Sequence, residues 1–171
     1  MSHPTRRLSA HTDIRVIFGD TDQMGIVYYA NYLRFAERAR TEMLRAGGLD
    51  HVKLFHDTGI TLAVRRCVAD YLAPARLDDL LSVESRITAL RGATLDLTQI
   101  VRRDGADLVR LAVTLVAITA SGRPTRIPAR LRDILAAHAT REAPAHEAPA
   151  HEAPAHEAPD ELQTQGLDHH G

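Results

Sequence analysis

The sequence predicts an α+β domain. One long segment, Asn31 to Ala46, places its apolar residues at helical spacing, and almost everything after it alternates in the manner of strands. After about Ala139 the composition changes abruptly to a proline-containing repeat, which marks the end of the folded unit. The predicted organisation is a flexible N-terminus over 1–12, a folded domain over 13–139 and a disordered tail over 140–171.

The elements follow in order. Ile14 to Phe18 is a short apolar strand. Gly19 to Gly25 is a turn-rich loop that carries Asp20 and Asp22. In the helix, Tyr32, Phe35, Ala36, Ala39 and Met43 form one stripe, while Arg34, Arg38, Thr41, Glu42 and Arg45 occupy the rest of its surface. Gly47 and Gly48 terminate it. Gly59 to Tyr71 is a strand with Ile60, Leu62, Val64 and Val68 on one face, and Leu72-Ala73-Pro74-Ala75-Arg76 breaks it. Leu80 to Leu90 and Ala93 to Arg102 are the next strands. Asp104-Gly105 signals a hairpin into Leu108 to Thr119, which is apolar on both faces and is therefore placed centrally. Pro128 starts a short helix through about Ala137, with Leu131, Ile134 and Leu135 inward.

The tail from Glu142 to Pro159 repeats Glu-Ala-Pro-Ala-His. Proline in every unit blocks a continuous helix, and no large apolar side chain is available for burial. His146, His151 and His156 recur there, but a metal site needs a geometry that such a tail does not hold alone.

The chain of 171 residues is long enough for one buried core, and 44% of it is apolar. A formal net charge of -1 gives no electrostatic signal for nucleic acid or an anionic membrane. Lys53 is the only lysine, so the basic residues are almost all arginines. Cys67 is the only cysteine; lying in an apolar run, it reads as a buried structural thiol. The first residues are polar and show no secretory h-region, and no apolar stretch is long and uncharged enough to be an integral membrane segment. The expected compartment is cytoplasmic.

The sequence has no Gly-x-Ser-x-Gly elbow, no phosphate loop ending in Gly-Lys-Ser/Thr and no zinc-spaced histidine pair on the helix. What remains is the loop Phe18-Gly19-Asp20-Thr21-Asp22-Gln23-Met24-Gly25, on the approach to a helix N-terminus. The N–H groups there favour negative charge and suit a polarised carbonyl oxygen. A nearby carboxylate is able to attack that carbonyl or to activate water. Thioester cleavage suits so small an apparatus, because a thiolate leaves more easily than an amine. Two plainer roles stay open for the pair: capping turns, or contributing oxygens to a cation site. These residues alone do not choose between Asp20 and Asp22.

The run Asp20-Thr21-Asp22-Gln23-Met24-Gly25-Ile26-Val27-Tyr28-Tyr29-Ala30-Asn31-Tyr32 resembles the signature of the 4-hydroxybenzoyl-CoA thioesterase family. The likeness continues through Phe35 to Arg45, Tyr71 to Asp79, and Arg91-Gly92-Ala93-Thr94-Leu95, covering roughly residues 13 to 135. The set looks most like the acyl-CoA thioesterases associated with the bacterial Tol-Pal system. The resemblance implies a hotdog fold, a long helix packed in a curved antiparallel sheet, assembled as a homodimer or homotetramer. It implies Asp22 as the catalytic carboxylate and the Tyr29 N–H as the group polarising the thioester carbonyl. It places Thr94 near the active site of the partner subunit. Relatives in this branch carry histidine where this chain has Tyr29; a backbone role survives that change.

Glu37 reads as a structural hydrogen bond or ion pair. Arg91, with Arg65, Arg66 and Arg126, is a candidate for substrate binding through the coenzyme A phosphates. The implied partner is an acyl-CoA substrate, with acyl carrier protein thioesters and a non-enzymatic binding module for envelope or lipid-synthesis proteins as the alternatives. No metal or redox cofactor is required.

Overall fold

The computed structural model describes residues 10–138. The repeat tail, its histidines and the start of the N-terminal segment lie outside the described residues. Strand β1 spans Ala10–Arg15, which takes in the last part of the segment expected to be flexible. It ends before the predicted boundary: Ile17 and Phe18 are exposed, and Phe18–Asp20 forms one 3-10 turn.

Helix α1 is Asn31–Ala46, as its periodicity predicts. Tyr32, Phe35, Ala36, Ala39 and Met43 are all buried. Its end is set by Gly48, whose φ of +89° an L side chain adopts only under strain. A second helix, α2 (His51–Thr58), is not apparent in the hydrophobic pattern because none of its residues is fully buried. Its start is chemical: the Asp50 carboxylate accepts the Val52 and Lys53 N–H groups at 2.9 and 3.0 Å. Gly59, at φ +66°, closes it.

Four more strands complete the sheet: β2 (Ile60–Tyr71), β3 (Leu80–Leu90), β4 (Thr94–Arg103) and β5 (Ala106–Thr119). The order is β1-β3-β4-β5-β2, with every neighbour antiparallel. The β4–β5 hairpin turns on Asp104-Gly105, both at positive φ, the left-handed pair a tight hairpin requires. β5 is interior and paired on both sides, as its two apolar faces demand, while the middle position belongs to β4. Helix α3 (Ala129–His138) buries Leu131 and Leu135.

The predicted face of β2 needs correction. A register shift between Val64 and Arg66 inserts a bulge, so Val64 lies opposite Leu115 but Cys67, not Val68, lies opposite Val113. One added residue reverses the alternation. Ile60, Leu62 and Val64 therefore share the inner face with Cys67, Ala69 and Tyr71. Cys67 is exposed there rather than buried, because β2 is a sheet edge and α1 packs over β1, β3 and β4 instead.

Candidate active site

Asp20 and Asp22 are two residues apart and do different work. Asp20 is buried, 7% exposed, and its Oδ2 accepts the Ile17 N–H at 3.1 Å. Its carbonyl accepts the Tyr28 N–H and the Asn31 side-chain amide, both at 2.9 Å. Asp20 thus ties the incoming strand to the start of α1. Asp22 is half-buried at the head of a tight turn. Its Oδ1 accepts the Met24 N–H at 2.8 Å, its carbonyl accepts the Gly25 N–H, and its own N–H donates to the Ile26 carbonyl. Gly25 supplies the positive φ, +70°, that closes this turn. Among the described residues nothing bonds to Asp22 Oδ2, which leaves one carboxylate oxygen available.

The turn is stitched to the segment after β2. Ile26 bridges Arg76, and the Val27 N–H donates to the Ala75 carbonyl at 2.9 Å. The Ala75 N–H in turn donates to the Tyr32 hydroxyl at 2.8 Å. Tyr29 follows on the approach to α1, 60% exposed. The N–H groups of Tyr28 and Asn31 are committed to the carbonyls of Asp20 and Tyr28, whereas the Tyr29 N–H donates to no described residue. The Tyr29 carbonyl is held from across the cleft, accepting from the Tyr71 hydroxyl at 3.2 Å. An unused N–H just before a helix N-terminus is a natural position for a developing negative charge.

All four tyrosines of the chain gather here. Tyr28 lies tilted against Tyr29 with ring centres 4.7 Å apart, and Tyr71 meets the rings of Tyr29 and Tyr32 edge-on at 6.3 and 5.9 Å. Tyr29, Tyr32 and Tyr71, with Ile26 and Leu72, line a cleft of about 300 Å³. Burial pushes the hydroxyls of Tyr32 and Tyr71 above the usual tyrosine value, so both stay protonated at neutral pH. Tyr71 was not evident from sequence, because it arrives from a distant strand.

Thr94 and Arg91 are not brought to Asp22 within one chain. The Asp22 turn lies where Val16 meets Asp79, at the start of β3, while Arg91 and Thr94 follow the end of β3. Eleven residues of strand separate the two ends, roughly 30 Å. Arg91 is ion-paired with Asp96, and its carbonyl accepts from Arg132. Arg65, Arg66 and Arg126 are exposed. Glu37 is exposed and makes no hydrogen bond or close ion pair among the described residues, but its charge acts on Arg40, three residues along α1. Arg40, which the sequence reading passed over, is instead the buried charge of α1: it donates to Gln99 Oε1 at 3.1 Å. Gln99 passes the connection on to the Ala36 carbonyl and Ser85 Oγ, each at 2.7 Å.

One long helix laid on a five-stranded antiparallel sheet, with an acidic turn leading into that helix, defines a hotdog domain. Residues 16–136 match the thioesterase-like superfamily, and the chain belongs to it. The acyl-CoA thioester hydrolase YbgC of Escherichia coli O6:H1 is 42% identical over 106 residues, 61% of this chain and 78% of that protein. The acyl-CoA thioesterase YbgC of Haemophilus influenzae is 37% identical over 61% of this chain and 77% of its own. Among solved structures, a probable thioesterase from Bartonella henselae superposes with a TM-score of 0.66 at 34% identity, over 69% of this chain and 98% of that one. A Thermus thermophilus thioesterase, solved with coenzyme A and zinc, gives 0.65 at 26% identity over 78% of this chain and 96% of its own.

Proposed function

We propose that this protein hydrolyses acyl-CoA thioesters to a free carboxylic acid and coenzyme A, with Asp22 as the catalytic carboxylate. The observation that carries the reading is the unspent Tyr29 N–H, set on the same short loop as an Asp22 carboxylate with one free oxygen. The thioester carbonyl oxygen accepts from the Tyr29 N–H, and the α1 dipole adds to the stabilisation of the oxyanion. Asp22 either takes a proton from the attacking water or attacks the carbonyl carbon itself; in the second case water hydrolyses the resulting anhydride. In both, the C–S bond breaks and the thiolate leaves as free coenzyme A. The names of the YbgC relatives agree with this chemistry.

A two-fold dimer that pairs β2 with its copy would bring Thr94 to the site of the partner subunit. β2 runs from the Thr94 end of the sheet, where Ile60 pairs Thr119, to the Asp22 end, where Tyr71 reaches Tyr29. Antiparallel pairing of two such edges sets the Thr94 end of one sheet beside the Asp22 end of the other. It also covers a twelve-residue edge.

The test is thiol release from a panel of acyl-CoA esters, native protein against Asp22→Asn. Release that collapses in a folded variant is expected; equal release removes Asp22 from the mechanism. Release from acyl carrier protein thioesters alone moves the substrate to that carrier, and release from neither leaves a binding role. For the shared site, Asp22→Asn and Thr94→Arg proteins are unfolded and refolded together. Activity above that of either variant alone is expected, since a mixed dimer keeps one intact site; no recovery refutes the shared site.

A further inference from the structure

Attack at a thioester carbonyl needs the Tyr29 N–H and the Asp22 carboxylate in one fixed arrangement. Both lie on a loop, whose backbone is free to choose other conformations unless something holds it. The peptide unit that carries the Tyr29 N–H joins Tyr28 to Tyr29. Its carbonyl accepts the Asn31 N–H at 2.8 Å, which closes a turn onto the start of α1. No described peptide bond is cis, so the N–H of this unit points opposite to its carbonyl. With the carbonyl turned in toward α1, the Tyr29 N–H is turned out, away from the helix start. A rotation of this one peptide would present the carbonyl oxygen in place of the donor and repel the thioester oxygen.

Asn31 contributes to this arrangement twice. Besides its backbone bond, its side-chain amide donates to the Asp20 carbonyl at 2.9 Å. The same carbonyl accepts the Tyr28 N–H at 2.9 Å. One oxygen, two residues before Asp22, therefore gathers both flanks of the Tyr28–Tyr29 peptide. Asn31 Oδ1 accepts from Arg34 at 3.4 Å, which leaves the NH2 end of the amide for Asp20. An asparagine at a helix start ordinarily caps it, its side-chain oxygen accepting an N–H of the first turn. Asn31 does not: α1 has no side-chain cap, and Asn31 is the first helical residue rather than the one before it. Its amide is spent backward, on the loop that carries Asp22.

We propose that Asn31 is a positioning residue for the reaction. Its side-chain amide, anchored on the Asp20 carbonyl, fixes the Tyr28–Tyr29 peptide so that the Tyr29 N–H meets the thioester oxygen at a set distance from the Asp22 carboxylate. Asn31 itself touches neither the substrate nor the reacting atoms. This deepens the thioesterase reading above and rests on it. Without the amide, Tyr28 stays bonded to Asp20, but the Asn31 side of the turn is free to shift and the donor shifts with it. A displaced donor weakens the transition state, where the oxygen carries charge, far more than the ground state, where it does not. The loss therefore falls on kcat and spares KM.

The experiment compares the full native chain with Asn31→Ala, in thiol release from acyl-CoA esters and in binding of two unreactive analogues. One analogue is a ketone with CH2 in place of the thioester sulfur, which keeps the carbonyl; the other is an S-alkyl-CoA thioether, which has none. In Asn31→Ala, kcat should fall by at least about tenfold with KM nearly constant. The native protein should bind the ketone more tightly than the thioether, and the variant should lose that margin while binding the thioether as the native protein does. Asn31→Ser, whose hydroxyl stops short of the Asp20 carbonyl and which suits a helix start, serves if Asn31→Ala does not fold. An unchanged kcat, or a loss shared equally by KM and both analogues, overturns the proposal and leaves Asn31 as a tie holding the loop to α1. Release from no ester by the native protein is a different result: it overturns the thioesterase reading, and the proposal with it.

Discussion

The two halves of the inner sheet face contrast. Over β1, β3 and β4, α1 lies directly on the sheet, and its polar insertions are satisfied: Gln99 is fully buried and bonds Arg40, Ala36 and Ser85. Toward β2 the face is open, Val64, Cys67 and Tyr71 are exposed, and among the described residues the buried His51 Nε2 has no hydrogen-bond partner. The closed half holds the fold together; the open half has the free groups. A stable core leaves no donor unspent, whereas a binding surface must leave some.

The largest expected effect breaks the open half and spares the closed one. Asp22→Asn should lower thioester turnover by about a thousandfold, with an unchanged thermal midpoint. Asp20→Asn should do the reverse: stability falls by about 1 kcal/mol as the tie to Ile17 weakens, and turnover persists in the folded fraction. Calorimetry beside a thiol-release assay separates the two; a stability loss at Asp22 equal to that at Asp20 would erase the distinction.

Packing gives the next contrast. Leu97→Ala, 1% exposed in the closed half, should cost about 3 kcal/mol in urea unfolding. Leu33→Ala, 42% exposed on the open side of α1, should cost under about 1 kcal/mol. Comparable losses would mean that the open half is filled as a core is.

Glu84 adds a pH-dependent prediction on the outer face of the closed half. Burial alone raises its carboxyl, but hydrogen bonds from Arg102 and Arg86 outweigh that and hold it below the usual glutamate value. A group depressed in the folded state stabilises fully above its unfolded value, and this contribution fades as pH falls through the lower folded one. Glu84→Gln should therefore lose about 1–2 kcal/mol at neutral pH and show a flatter decline in acid. A parallel acid profile for native protein and variant would remove Glu84 from the acid transition.

The smallest effect concerns Tyr71. Removing its hydroxyl in Tyr71→Phe frees the Tyr29 carbonyl, and kcat should fall severalfold with KM nearly constant, about 1 kcal/mol at the transition state. A change in KM alone would show that the ring shapes the cleft and the hydroxyl positions nothing.

Much of this was legible in the sequence because it is local. The bounds of α1 follow from its stripe and the glycines after it, and the β4–β5 turn from Asp104-Gly105. The loop carrying Asp20, Asp22 and Tyr29 is one continuous run, so its likeness to a thioesterase signature survives in the linear order. α2 escaped because its signal is one capping aspartate rather than a period of apolar residues. The face of β2 was misread because a bulge at Arg65 adds a residue that hydropathy does not mark, and Cys67 was misjudged with it.

The sequence by itself determined the α+β class, the long helix and the acidic loop, since each depends on neighbours within a few turns of chain. Tertiary structure alone decided which aspartate is spent on the scaffold, and it set Tyr71 against Tyr29 across forty-two positions. It also separated Asp22 from Thr94 within the chain. Those facts depend on which strand lies at the edge and which face it turns inward, and pairing across the sheet, not local propensity, fixes both.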